Sequence, residues 1–467
     1  MKLFDQHNQP QGDNQETFNS EIDSVVSVES EMDILNADHQ DFNDSIAMVD
    51  GAIAVAAGIE AAVATESDIM AAGQVNAGVA QLVLGAHLQF AEKLGIESDI
   101  AGVSTESVEA NPTQVVAMSI EEKSEIFTKI MDKVKEIWAK LVAKLRAIGL
   151  KIIMAVGNYE KQVASLVEKK KTLSISVKDG MEEYSEDELL GLAGVNYLLA
   201  KAAISGGANE AGAFAKALVD VKMNTASIST LAGSLKSFDS KTGDELKKAL
   251  KDAKATATAV FEGLKDASGT AKDFEGLDAV VNEVNGMAGD TGTLTIPFGC
   301  SGKTCKAVIF YGAKQTLPGG AGETVALRTR AVVSKASDTA VGNFAKSKVK
   351  VYTPTDIDVV LAAAGVMAKS VKTFKGELDK AVKDGDDVVK SSVIDTKGFS
   401  GFDGLDEAGK SALANKVGNI SGSSINAFST ETARFAVETM FAYLSTMKGL
   451  MSLANKSMAH YAPSAAK

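Results

Sequence analysis

Between Lys123 and Val156 the apolar residues Ile126, Phe127, Ile130, Met131, Val134, Ile137, Trp138, Leu141, Val142, Leu145, Ile148, Ile152 and Ile153 return at every third or fourth position. That spacing lays them along one face of an α-helix and excludes a strand, whose inward residues alternate. A helix of this length needs partners along its whole apolar stripe, so the pattern predicts a helical body. Six prolines in 467 residues leave few forced breaks. Aromatic residues make up only 6% of the chain, while Ala and Gly are abundant. The core should therefore be built from small side chains between closely approaching helices. The expected fold is mainly α, a multi-helix elongated body.

The other face of this helix carries Lys129, Lys133, Lys140, Lys144, Arg146 and Lys151, with Lys169, Lys170 and Lys171 downstream. A basic amphipathic helix can lie on a nucleic-acid backbone or a membrane surface, or it can be a core helix with a solvated lysine face. Charge along the chain is divided unevenly. Residues 1–109 hold 20 acidic and two basic residues, Lys2 and Lys93, a net of −18, against +5 for the remainder. Such asymmetry marks a segment with its own electrostatic role, or an acidic solubilising extension. Within it, residues 22–95 read as two or three weakly amphipathic helices carrying Phe42, Ile46, Val49, Val79, Leu82 and Leu88. They are suited to packing against partner copies and need not form a stable domain alone.

The stretch Gly95–Thr113 is small and polar, and Asn111-Pro112 disfavours helix just before it. Ser119 and Glu122 have the spacing of a capping box that would open the long helix. Further capping boxes stand at Ser185/Glu188 and Thr242/Glu245, with glycine breaks near Gly206-Gly207 and Gly233. From Thr293 the pattern becomes β-branched and alternating: Thr293–Phe298, Ala307–Tyr311, Thr324–Val333 and Lys348–Tyr352 read as strands of a small antiparallel insertion, about 293–352, with a turn at Leu317–Gly320. Helices resume from Thr355 to Lys390 and from Asp406 to Met458, the last broken at Ser421-Gly422-Ser423. Its methionines, Met440, Met447, Met451 and Met458, read as core. The expected units are an acidic helical segment 1–109, a helical domain 110–290, a β insertion 291–353 and a C-terminal helical domain 354–467.

Candidate chemistry is sparse. Gly302-Lys303-Thr304 ends like a phosphate-binding loop, but the position that should hold the motif's first glycine is Pro297, which has no N–H, so a hairpin loop is expected. Cys300 and Cys305 are too few for a disulfide framework or a four-ligand zinc site. Histidines occur only at His7, His39, His87 and His460, leaving the body without an internal base for neutral pH. No catalytic, cofactor or metal residues are assigned, and the chain is expected not to be an enzyme. The N-terminus lacks the basic start and apolar run of a secretory signal, so a soluble protein made in the cytoplasm is expected. Small-x-Glu tripeptides end at Glu29, Glu66, Glu106 and Glu109, and others stand at Ser429–Glu431 and Ala436–Glu438, so placement distinguishes them: Glu106 and Glu109 lie in the linker where the charge changes sign. Exposed polar linkers are where proteases cut.

An acidic leader, serial Ser/Ala-x-Glu tripeptides, a lysine-bearing helical body and no active site together resemble the internal head, or inner-body, proteins of large and giant tailed bacteriophages. The resemblance implies a precursor, made in the host cytoplasm, that enters the prohead with capsid or core proteins. A prohead protease would cut it after Glu109, Glu106, Glu66 or Glu29. The product would remain in the capsid lumen with packaged DNA, held non-specifically by charge, with self-association and ejection into the host left open. Physically, an acidic leader would offset the body's lysines until removed. Three other readings stand beside it: a membrane-active protein using residues 123–156, an uncleaved helical scaffold, and an enzyme supported by little beyond its size.

Overall fold

The computed structural model describes residues 35–94, 103–220, 231–235, 244–251, 277–317, 322–390 and 407–463, less single or paired positions within 36–71 and residue 245. Helices dominate and a small antiparallel sheet is inserted between helical halves, so the fold is mainly α. Helix α1 covers 37–49, with further helical residues to 70, and α2 is Ala77–Leu94. The six-residue α3, Thr105–Ala110, leads into α4, Pro112–Lys171. At ~1.5 Å per residue, the 60 residues of α4 make a rod on the order of 90 Å long. It begins seven residues before the expected Ser119 box. Pro112 occupies the first helical turn, where its missing N–H costs nothing, and Ser119 is buried mid-helix instead. At the far end Lys169, Lys170 and Lys171 fill the last turn, where cations suit the helix dipole.

α4 is followed by β1, Leu173–Val177, which pairs antiparallel with β5, Tyr461–Pro463, at the other end of the described chain. The sequence did not signal this pair. Helix α5, Glu186–Asp220, opens on the expected box: Ser185 N–H donates to the Glu188 carboxylate (2.8 Å) and Glu188 N–H to the Ser185 hydroxyl (3.2 Å). By composition and length α5 is apolar enough to cross a membrane, but much of it is buried inside the protein. It breaks at Gly207, as expected there, and also at Asn196. After α6, Leu277–Ala288, come β2, Thr293–Ser301, β3, Thr304–Thr316, and β4, Glu323–Lys335, in spatial order β2-β3-β4. Residues Lys348–Tyr352 do not add a fourth strand. Helix α7, Asp338–Ala345, capped by Ser337, carries the chain off the sheet, and 349–351 bond instead to Glu182 and Tyr184. The Thr242/Glu245 box and most of the Leu317–Gly320 turn lie outside the described residues, and Gly233 sits within a short helical stretch.

Helices α8, Pro354–Lys390, and α9, Glu407–Ala459, complete the body. α8 runs antiparallel to α4, with Lys372 on Glu160 (2.7 Å) and Lys170 on Asp358. α9 runs unbroken through Ser421-Gly422-Ser423. There the Ser423 and Ser424 hydroxyls bond back to the Ile420 carbonyl (3.1 and 2.7 Å) and receive Arg328 and the Leu327 N–H of β4. Hydroxyls that could have favoured a turn are thereby used to dock the sheet. From Phe428 to Met458 α9 is buried on nearly every face, and Met440, Met447, Met451 and Met458 are core. One hydrophobic cluster draws on Leu35, Phe42 and Ile46, on α4, α5 and the sheet, and on α8 and α9. The sheet and the helices after 354 thus share this cluster, whereas the residues around 110 belong to a separate one with Ala80, Val83, Val115 and Val116.

Candidate functional site: the N-terminal segment on the long helix

The helical residues from 35 to 70 run antiparallel to α4, and α2 then runs parallel to it. Phe42 and Ile46 face inward with Leu141, Val142, Leu145 and Ile148. Ile59 and Val63 cluster with Ile126, and Ala80, Val83 and Val108 with Val115 and Val116. The apolar period of the acidic segment is thus answered by that of α4, although Leu82, expected on the inner face, is exposed.

Polar contacts follow the same track. Asp38 pairs with Lys151 (2.6 Å), and Asp41 pairs with Lys144 (2.7 Å), whose ammonium also donates to the Ser45 hydroxyl (2.9 Å). Further along, Glu66 is buried against Lys123, and both touch the Ser119 hydroxyl. Burial raises the Glu66 carboxyl above its ordinary value more than Lys123 and Ser119 lower it. One turn away the buried His87 meets Glu122 at 3.1 Å. Burial holds its imidazole below the usual value, Glu122 opposing and Lys123 reinforcing the shift. His39 stacks on Phe441 at 4.3 Å and bonds Glu438 (3.1 Å), which also receives Lys306 from β3 (2.7 Å). Burial would push the Glu438 carboxyl up, but His39 and Lys306 together outweigh it and hold it low.

The nine expected surface cations are divided by this arrangement. Lys144 and Lys151 are engaged by the acidic segment. Lys140 pairs with Glu136 and Lys171 with Glu168 on α4 itself, both at 2.6 Å. Lys170 reaches Asp358 and Lys169 donates to Asn455 (3.3 Å). Lys129 and Arg146 are exposed, and the Lys133 side chain lies outside the described residues. Sequence reasoning missed Asp38, Asp41, His39, His87 and Lys123 as a set. Their signal was present: Asp38, Asp41 and Ser45 share one face of α1, and Lys144 and Lys151 are two turns apart on α4.

Of the four proposed scissile glutamates, Glu29 lies outside the described residues. Glu106 and Glu109 are exposed on α3, a helix of only six residues capped by Ser104 (Ser107 N–H to hydroxyl, 3.2 Å). So short a helix has little stability of its own, but Val108 beside Glu109 is buried with Val115 and Val116, so the extended form a protease needs requires Val108 to leave its seat. Glu66 is buried against Lys123 in helical backbone, so a cut there would require undocking.

The other candidate chemistry is occupied by structure. Gly302, at φ +55°, takes the first position of the β2–β3 hairpin turn. Its N–H donates to the Val195 carbonyl and its carbonyl accepts from Tyr197 N–H, both at 2.8 Å. The hairpin tip thus fills the break in α5 at Asn196, and that N–H does not face a phosphate. Cys300 and Cys305 are opposite one another in the β2–β3 register, Cys305 buried. His460 is held between the Met181 carbonyl (2.7 Å) and Glu188 (3.1 Å). Among the described residues no cluster of three His, Cys, Asp or Glu side chains could hold a metal. Compared with protein-family models, with curated proteins and with solved structures, the chain matches none, so its function has to be read from its own geometry.

Proposed function

We propose that this chain is a non-enzymatic internal head protein of a large tailed bacteriophage, made as a precursor and packaged with DNA once residues 1–109 are cut away. The observation that carries the reading is the seat of Asp38 and Asp41 on Lys151 and Lys144. The described part of a segment whose 109 residues carry a net of −18 lies along a lysine-bearing helix, with Asp38 and Asp41 on two of its lysines, so removing the segment uncovers cations for a phosphate backbone. The exposed Glu106 and Glu109 at the join give a prohead protease its substrate, and α4 offers non-specific charge contacts without base readout.

Two measurements test it. Asp38→Asn/Asp41→Asn frees both lysines in the full chain, and because exposed pairs contribute only about 0–1 kcal/mol the fold should stand. The double variant should bind duplex DNA more tightly than the parent at low salt, with a salt slope steeper by up to about 2. Identical DNA retention of both across a salt series would sink the charge-masking role. The N-terminal peptide of protein recovered from particles should begin at Ala110 or Ser107; Met1 throughout would remove the precursor reading. The membrane-surface reading requires the apolar face of α4 to be free, whereas Ile126, Leu141, Val142, Leu145 and Ile148 on that face are buried. Flotation with anionic liposomes, before and after the cut, separates the two.

A further inference from the structure

The join between leader and body is a short element that exposes Glu106 and Glu109 and buries Val108 between them, while the contacts around it extend far along α4. We infer that residues 35–94 are a dissociable partner of α4, so that cutting at Glu109–Ala110 yields a two-chain complex and uncovering the lysines requires a second, separate step. The inference deepens the two-part reading above and rests on it for its biological setting, but its physical content involves no nucleic acid.

Three observations carry it. First, the N-terminal third of α4 has its buried apolar residues Val115, Val116 and Ile126 in clusters whose other members, among the described residues and apart from α4's own Ile120 and Ile130, all come from residues 55–108. That face has no other occupant there, and the N-terminal segment fits it. Second, the segment's anchors are distributed along the rod: Leu35, Phe42 and Ile46 in the main core, Ile59 and Val63 at Ile126 in the first third of α4, Ala80 and Val83 near its start. Severing one peptide bond removes none of them. Third, the Glu66–Lys123–Ser119 group is buried at the interface. Separation must return it to water, which favours the ions, but must also expose the surrounding apolar side chains, which does not.

The consequence is a division of labour. Proteolysis at α3 makes release irreversible in principle, because loss of the tether removes the high effective concentration that re-docks the segment. It does not itself set the moment of release. Until the segment leaves, Lys144 and Lys151 keep their acidic partners and α4 keeps its cover.

The test uses the full chain with a site-specific protease sequence inserted between Glu109 and Ala110. After complete cutting at neutral pH, gel filtration at micromolar concentration should show both fragments in one peak. Emission from Trp138, the chain's one tryptophan, buried on α4, should be unchanged by the cut. Ile59→Asp/Val83→Asp, made on the N-terminal side so that the body keeps its own sequence, should leave the uncut chain helical but let the cut fragments separate. A fragment 1–109 that elutes alone immediately after cutting overturns the inference. So does a cut double variant whose fragments still co-elute, because the assigned face would then not be what holds them. Neither outcome depends on whether the body binds DNA, so failure here and failure of the packaging role are told apart.

Discussion

Lys123→Met isolates the buried ion pair at the centre of the interface. Methionine keeps most of the aliphatic volume of lysine and removes the charge, leaving the Glu66 carboxylate buried beside Ser119 with no cation. Breaking a buried pair from one side typically costs about 3–5 kcal/mol. The carboxylate can escape part of this by taking up a proton. From an ordinary value of 4.5, neutralising it at pH 7 costs about 3.4 kcal/mol, at about 1.36 kcal/mol per pH unit, and this caps the charge penalty. At pH 5.5 the same cap is about 1.4 kcal/mol. The sign follows from a carboxyl raised in the folded state: its contribution is intact below the unfolded value and is lost as pH rises toward the folded one. Lys123→Met should therefore weaken docking by up to about 3 kcal/mol at pH 7 and by about 2 kcal/mol less at pH 5.5. Hydrogen exchange of the α2 amides, compared with the parent at each pH, reads the local opening free energy. Glu66→Met/Lys123→Met should recover most of the loss, since neither charge is then buried. An equal deficit at both pH values, or none at pH 7, would refute the reasoning.

Three further outcomes are expected. His87 is buried with its imidazole held below the ordinary 6.5, so its contribution is complete above that value and is lost as pH falls through the folded one; the parent should lose α2 protection on acidification from pH 7 to 5 more steeply than His87→Gln. Asn196 receives the Leu199 N–H (3.1 Å) and donates to Thr446 (3.2 Å) at the break in α5, so Asn196→Ala should cost about 1–3 kcal/mol and lower the midpoint of thermal unfolding, with an unshifted midpoint as the contrary result. Ser424→Ala leaves the buried Leu327 N–H of β4 without its acceptor, again about 1–3 kcal/mol, and exchange should quicken at Leu327 while α4 amides stay protected.

The long elements were legible because they depend on local pattern. The Ile126–Ile153 period, the Ser185/Glu188 box and the alternation through β2, β3 and β4 are each set by neighbours a few residues apart, and each stands where the sequence indicated. The misreadings share a cause in non-local partners. Ser119 and Glu122 have capping spacing, but Glu66 and His87 take them into the interface. Ser421-Gly422-Ser423 looks like a break until β4 arrives to use Ser423 and Ser424. The break at Asn196 exists because a hairpin tip more than 100 residues away in sequence inserts there. β1 alternates as Leu-Ser-Ile-Ser-Val, a signal that sequence reasoning passed over, whereas the three-residue β5 is too short to show one, and its partner lies at the other end of the described chain. At the site, charge asymmetry identified the acidic segment, but only the folded chain shows which lysines it covers.

The antiparallel run of residues 35–66 on α4 also sets how the protein responds to force. The N-terminal end of that run lies beside Lys151, so a pull on it directed away from the rod, across the axis of α4, loads the contacts one after another. Asp38 would part from Lys151 first, then Asp41 from Lys144, and the buried Glu66–Lys123 pair last. Contacts broken in series yield at far lower force than the same contacts sheared together. A chain drawn N-terminus first through a narrow opening would thus be peeled from its rod, with the firmest resistance at the end of the run.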